Sequence, residues 1–168
     1  MGCRTAAVAC GPVPLTISTV NVNGIRAAVK HRSEANRGLL PWLDTSGPDV
    51  VLLQEVRASE ELARDALAPV LDTGWHLTMS ESSVKGHAGV GVLTRSAPSA
   101  VRVGFGSAEF DDLGRYLEVD VDTDLGPLTA GSLYLPKGAA LSDAEKDIAK
   151  HDEKVRFMRE FGAYLDRL

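Results

Sequence analysis

Two apolar runs constrain this chain more than any other feature. Residues 17–27 (ISTVNVNGIRA) and 49–57 (DVVLLQEVR) each read as a buried strand ending in side chains unsuited to burial. These are Asn21 and Asn23 in the first run, Gln54 and Glu55 in the second. A carboxylate at the mouth of an apolar strand costs several kcal/mol unless it is paired or holds a metal. Two such ends side by side would gather amide oxygens and a carboxylate around one point. A hard cation such as Mg²⁺ is held in this way, by oxygens and few protein ligands.

At 168 residues the chain suffices for one domain with its own core. Its net charge of −5 gives no basic footprint of the kind that marks an electrostatic nucleic-acid binder. That weighs against a DNA-coating protein and much less against a DNA-cutting enzyme, because a metal supplies positive charge where a phosphate sits. No apolar stretch approaches the roughly 20 residues of a membrane helix, so no membrane partner is expected. Both cysteines, Cys3 and Cys10, fall in a leader (residues 1–14) that reads as a disordered tail. With no disulfide framework, a reducing, cytoplasmic setting is expected.

After Pro14 the pattern alternates. Strands are predicted at 15–20 and 49–53, and a short helix at 38–43 with Leu39, Leu40 and Leu43 on one face. Ser59 is a good N-cap for a helix through Leu62, Ala66 and Leu67, with Pro69 near its end. Short β-rich runs follow at 75–80, 89–94 and 100–104. Residues 116–122 alternate strictly, with Leu117, Val119 and Val121 on one side, so a half-exposed antiparallel strand is expected. Another strand is read at 128–135. Ser142 would then cap a long helix whose Ile148, Val155, Met158 and Leu165 share its apolar side. The sum is a layered, mixed α/β fold.

Taken singly, the candidate site residues have ordinary readings. Asn-Gly is a common turn, and Glu55 could simply pair with Arg57. Two loops add to them. Gly86-His87-Ala88-Gly89 opens a strand and presents His87 and Lys85 beside a sheet edge. Tyr134-Leu135-Pro136-Lys137-Gly138 ends another, where the tyrosine either packs in the core or offers its hydroxyl to a phosphate.

The segments NVNGIRA, LLQEVR, GHAGVGVLTR, GRYLEVD and YLPKG occur in that order. Together they resemble the N-terminal portion of the exonuclease III family of abasic-site endonucleases, within the endonuclease/exonuclease/phosphatase superfamily. The resemblance implies a layered α/β sandwich of the deoxyribonuclease I-like type, with mixed, mainly antiparallel sheet. It implies that Glu55 binds metal (Mg²⁺, or Mn²⁺ in its place), with Asn21 at the catalytic centre close to that metal. Tyr134 would hydrogen-bond the phosphate or support the nucleophile. Asn23, Arg57, Lys85, His87, Arg115 and Lys137 would meet substrate, as residues at matching motif positions meet the DNA backbone or its damaged site. The reaction implied is phosphodiester hydrolysis 5′ of abasic sites in double-stranded DNA, with trimming of 3′ ends. When complete, such a protein is expected to be a monomer.

Later motifs of the family do not occur in this sequence: a Gly-Asp-x-Asn strand end, a further aspartate-bearing strand and a Ser-Asp-His. The expectation is therefore that residues 15–168 form the first lobe of two, hold half the catalytic groups, leave apolar sheet uncovered and are inactive alone. Other readings are a superfamily phosphatase or phosphodiesterase with another substrate, and a non-catalytic DNA-binding remnant.

Overall fold

Side chains of β2 (Val50–Gln54) alternate between two separate cores, and that alternation lays out the molecule. The computed structural model describes residues 14–139 and 144–168. The expected leader up to residue 13 and the Ser142 cap lie outside them. One sheet has the order β1 (Ile17–Asn21), β2, β4 (Val90–Thr94), β3 (His76–Ser80); β1 and β2 run parallel and the other pairs antiparallel. The second is an antiparallel meander of β5 (Ala100–Val103), β6 (Tyr116–Thr123) and β7 (Gly126–Leu133).

The two sheets pack face to face through Val50, Val90 and Val92 on one side and Leu117, Val119, Val121 and Ala130 on the other. The far face of the first sheet supplies Val51, Leu53, Leu77, Met79 and Leu93. These pack against α1 (Ile25–Ala28), α2 (Leu39–Ser46) and α3 (Glu60–Leu71), through Ile25, Leu39, Leu43, Ala63 and Leu67. The far face of the second sheet carries Tyr116, which joins Phe105, Phe110 and Phe157 of α4 (Glu145–Leu165) in a third core. The result is a helix–sheet–sheet–helix sandwich, in agreement with the layered α/β fold expected.

Local chemistry sets the helix ends. Pro41 sits in the first turn of α2, where its missing N–H costs nothing, and Gly47 ends that helix at φ +59. The Ser59 hydroxyl accepts the Leu62 N–H at 3.4 Å, and Glu60 and Glu61 lie at the positive end of the α3 dipole. Ser59→Ala should cost about 1 kcal/mol of stability, read as a lower urea midpoint at unchanged slope.

Three expectations are corrected. β1 is not a buried strand: it forms the sheet's edge, with Ile17 47% exposed, whereas β2 has neighbours on both sides. β6 is not half-exposed along its length, because Tyr116 and Glu118 on its polar side are buried. The covering helix α4 does not use the aliphatic side read from the sequence, since Ile148, Val155, Met158 and Leu165 are all exposed. It packs through Phe157, Phe161 and Tyr164, whose rings cluster at 4.9–6.3 Å with Phe105 and Tyr116. Aromatic rings bury about 150–250 Å² each, and three at i, i+4 and i+7 outweigh scattered aliphatics. The sheets cover each other's inner faces except at β5, where Val101 and Val103, opposite Val119 and Leu117, stay exposed.

Candidate active site

Parallel pairing in register puts Asn21 opposite Gln54, so the two polar strand ends emerge together. The pairing continues past the strands. Val22 N–H donates to Gln54 O, Gly24 N–H to Glu55 O and Ile25 N–H to Val56 O, at 2.8–3.0 Å. On its other side the same loop is held by Val56 N–H to Gly89 O and Arg57 N–H to Ala88 O. Pinned from both flanks, Glu55 and Arg57 adopt left-handed backbone at φ +53 and +51. Each such residue stores roughly 1 kcal/mol or more of strain, a cost that persists where surrounding contacts over-determine the geometry. Gly89, itself at φ +81, lies so close that a Cβ would stand 3.4 Å from the Arg57 nitrogen.

The second sheet brings Tyr134 to the same point. Its N–H donates to Arg115 O at 2.8 Å, extending the β6–β7 ladder past Leu133. Beneath it, the buried Ser132 hydroxyl donates to Leu53 O at 2.8 Å and accepts from Gln54 Nε2 at 3.3 Å, tying the sheets together under the site. The sequence reading missed Ser132. Its signal is a small polar residue on an apolar strand, two positions before the tyrosine.

Three side chains converge on Glu55. Asn21 Nδ2 donates to Glu55 Oε1 at 2.8 Å, and the Tyr134 hydroxyl donates to the same oxygen at 2.8 Å. The Arg57 guanidinium pairs with the other oxygen, Oε2. Asn21 Oδ1 meanwhile accepts the Asn23 N–H at 3.1 Å, which sets Asn23 in an Asx turn at φ +46. In this arrangement Asn21 orients the carboxylate through its N–H. The Asn21 bond, with Tyr134 and Arg57, outweighs the opposing effect of burial and holds the Glu55 carboxyl below its ordinary range. Burial, the Glu55 bond and the Glu55 charge push the Tyr134 phenol up, so it remains a hydrogen-bond donor at neutral pH.

The other expected residues divide. Lys85 and His87 stand exposed on the β3–β4 loop, which reaches the site through the Arg57–Ala88 backbone bond. Lys137 is exposed three residues past Tyr134. Arg115 does not point outward: its side chain is 16% exposed and Nε has no partner among the described residues. Its guanidinium donates to Tyr134 O at 3.3 Å, lies 5.6 Å from the Tyr134 ring centre and approaches Glu153 of α4 at 3.8 Å. Burial lowers its pKa despite Glu153. Arg115 braces Tyr134 from behind.

Two concavities flank the cluster. One, of about 480 Å³, is lined by Gly24, Ile25, Arg26, Ala27, Lys30 and Arg57, placing three cations on one wall. Arg26 and Lys30 went unread in the sequence, although two cations four residues apart just after the Asn-Gly turn were the available signal. The other, about 710 Å³, opens from Asn21 and Asn23 toward Arg32, Arg37 and Trp42.

Comparison with known proteins places this geometry in context. Residues 18–160 match the family model described as endonuclease/exonuclease/phosphatase family. The exodeoxyribonuclease III of Haemophilus influenzae is 31% identical over 147 residues, covering 88% of this chain and 49% of that protein. A DNA-(apurinic or apyrimidinic site) endonuclease of Dictyostelium discoideum is 26% identical over 82% of this chain and 35% of that protein. Among solved structures, an AP endonuclease from Archaeoglobus fulgidus superposes with a TM-score of 0.71 at 24% identity, over 92% of this chain and 52% of that one. The chain thus spans about half the length, or less, of the curated relatives it matches.

Proposed function

The chain belongs to the endonuclease/exonuclease/phosphatase family, and on that premise we propose that residues 15–168 carry one wall of a DNA-repair nuclease site. The observation that supports this is the joint hold of Asn21 and Tyr134 on one oxygen of Glu55. The donor set suits a weakly caged hard cation. Among the described residues no three His, Cys, Asp or Glu side chains cluster as a metal cage. A single ionised carboxylate with neighbouring amides fits Mg²⁺, which keeps most of its waters, and Mn²⁺ in its place. Glu55 would hold the ion, with Asn21 beside it. When bound, the ion neutralises charge on the scissile phosphate and on the departing 3′ oxygen.

The protein's own groups supply the rest of this wall. The Tyr134 hydroxyl stays neutral at working pH and has one proton to donate, so with substrate bound it would turn from Glu55 Oε1 to a phosphate oxygen rather than remove a proton. Asn21 offers a second preorganised donor, and such donors are typically worth about 3 kcal/mol to a transition state. Arg115 acts behind Tyr134 by fixing its position. Asn23, Arg57, Lys85, His87 and Lys137, together with Arg26 and Lys30, line the surface where a DNA backbone would lie.

The relatives' names and the physical cost of opening a duplex support the substrate reading. Double-stranded DNA lacking a base is cheap to open at that point, because little stacking is lost. The site would cut 5′ of the abasic position and trim 3′ ends. No helix among the described residues is long and apolar enough to cross a membrane. The family resemblance supports a cytoplasmic monomer for the complete protein.

The test joins this chain to the part of the Haemophilus relative that it does not match. With Mg²⁺, this chimera should incise a duplex 5′ of a single tetrahydrofuran abasic analogue and leave the undamaged duplex intact. Preferential hydrolysis of an inositol phosphate would overturn the proposal in favour of another substrate of the superfamily.

A further inference from the structure

The Glu55 carboxylate is divided between two kinds of partner. Oε1 is taken by two neutral donors, Asn21 and Tyr134, while Oε2 meets a cation, the Arg57 guanidinium. That cation is aimed there by the backbone: Arg57 sits at φ +51, with its N–H fixed on Ala88 O at 3.0 Å. It is not buried in place. The Arg57 side chain is 42% exposed against 14% for Glu55, and it lines the open concavity beside Arg26 and Lys30. No carboxylate lines that concavity, so Glu55 is the acid that draws Arg57 inward.

We propose that Arg57 holds the divalent cation's place on Glu55 Oε2 and must swing off that oxygen before the ion can bind. This rests on the reading of Glu55 as a metal ligand. A guanidinium and a dication drawn to one carboxylate oxygen repel each other at close range, so the two compete. Metal affinity is then reduced by the fraction of time Glu55 is paired. A half-exposed ion pair of this type is occupied most of the time but weakly held, which corresponds to about a fivefold reduction. Arg57 thereby keeps Glu55 oriented when no metal is present, at the expense of affinity when one is.

Mg²⁺ titration of the ¹⁵N-labelled chain tests this, read at the Asn21 side-chain amide and the Arg57 Nε–Hε signal. In the parent both signals should move with one midpoint. Arg57→Gln should tighten that midpoint about fivefold. Arg57→Lys, which keeps a competing charge, should stay near the parent. An Arg57→Gln midpoint that is unchanged or weaker, or equal tightening in both variants, overturns the competition while leaving Glu55 as a ligand. Glu55→Gln serves as the control for the underlying reading. If it binds Mg²⁺ as the parent does, or if neither the parent nor Arg57→Gln responds to Mg²⁺, the metal assignment fails and the competition falls with it.

Discussion

Arg102→Met should lower the unfolding free energy at neutral pH by about 3 kcal/mol. Glu118 is only 2% exposed, on the face of β6 that α4 covers. Its carboxylate accepts from the Tyr116 hydroxyl at 2.9 Å and the Tyr164 hydroxyl at 2.7 Å, and pairs with Arg102. The same guanidinium reaches Asp120 through two bonds of 2.6 and 2.7 Å, and Thr129 adds a third to that aspartate at 2.7 Å. Methionine keeps the packing of the arginine stem and removes the charge. Breaking a buried pair costs about 3–5 kcal/mol, because an uncompensated charge is left behind. The lower end applies because Arg102 is 42% exposed and both tyrosines remain as donors.

The pH dependence of that loss identifies its origin. Burial alone would push Glu118 up, but the bonds from Arg102, Tyr164 and Tyr116 outweigh it and hold the carboxyl below its ordinary range. A carboxyl held low contributes stability above its unfolded pKa of about 4.3, and that stability is lost as pH falls through the folded value. Without Arg102, burial dominates and the carboxyl moves up, so protonation relieves the variant. The difference between parent and variant, measured by urea denaturation, should be widest near neutrality and close below about pH 4. A difference that is flat across this range would assign the loss to packing instead.

This network also marks where sequence reasoning stopped. Strict alternation over residues 116–122 correctly gave a strand and its apolar side. Alternation describes one strand at a time, however, and what covers the polar side depends on a helix some thirty residues later. That helix was readable as a helix. Its packing side was not, because aliphatic spacing and aromatic spacing pointed to different faces and ring area decided between them. β1 failed for a related reason: an apolar run reports propensity, whereas its edge position follows from strand order. By contrast, the convergence of Asn21 and Glu55 was legible, since two strands that end in polar groups can share those ends only by pairing in parallel register. The burial of Arg115 was not legible, because nothing local reveals that its guanidinium will lie 5.6 Å from the ring centre of a tyrosine nineteen residues on.

Glu55→Gln in the chimera should reduce abasic-site incision by at least about a hundredfold, while the melting temperature stays nearly constant. The substitution keeps the side chain's shape and leaves an oxygen that can still accept from Asn21 and Tyr134. It removes the single charge on which those two donors and Arg57 converge, and with it the oxygen that would hold the cation. Stability should change little because glutamine fits the same place and the partner left without its charge, Arg57, is 42% exposed and reaches solvent. The fold is fixed elsewhere, by the backbone bonds to Val22, Gly24 and Gly89 flanking residues 54–56 and by the Ser132–Leu53 tie beneath them. Tyr134 provides an independent readout: freed of the Glu55 charge, its phenol should titrate closer to its ordinary value, visible as a lower ultraviolet midpoint for one tyrosine. Loss of incision with an unmoved tyrosine midpoint would mean that the two residues are not coupled as the geometry requires.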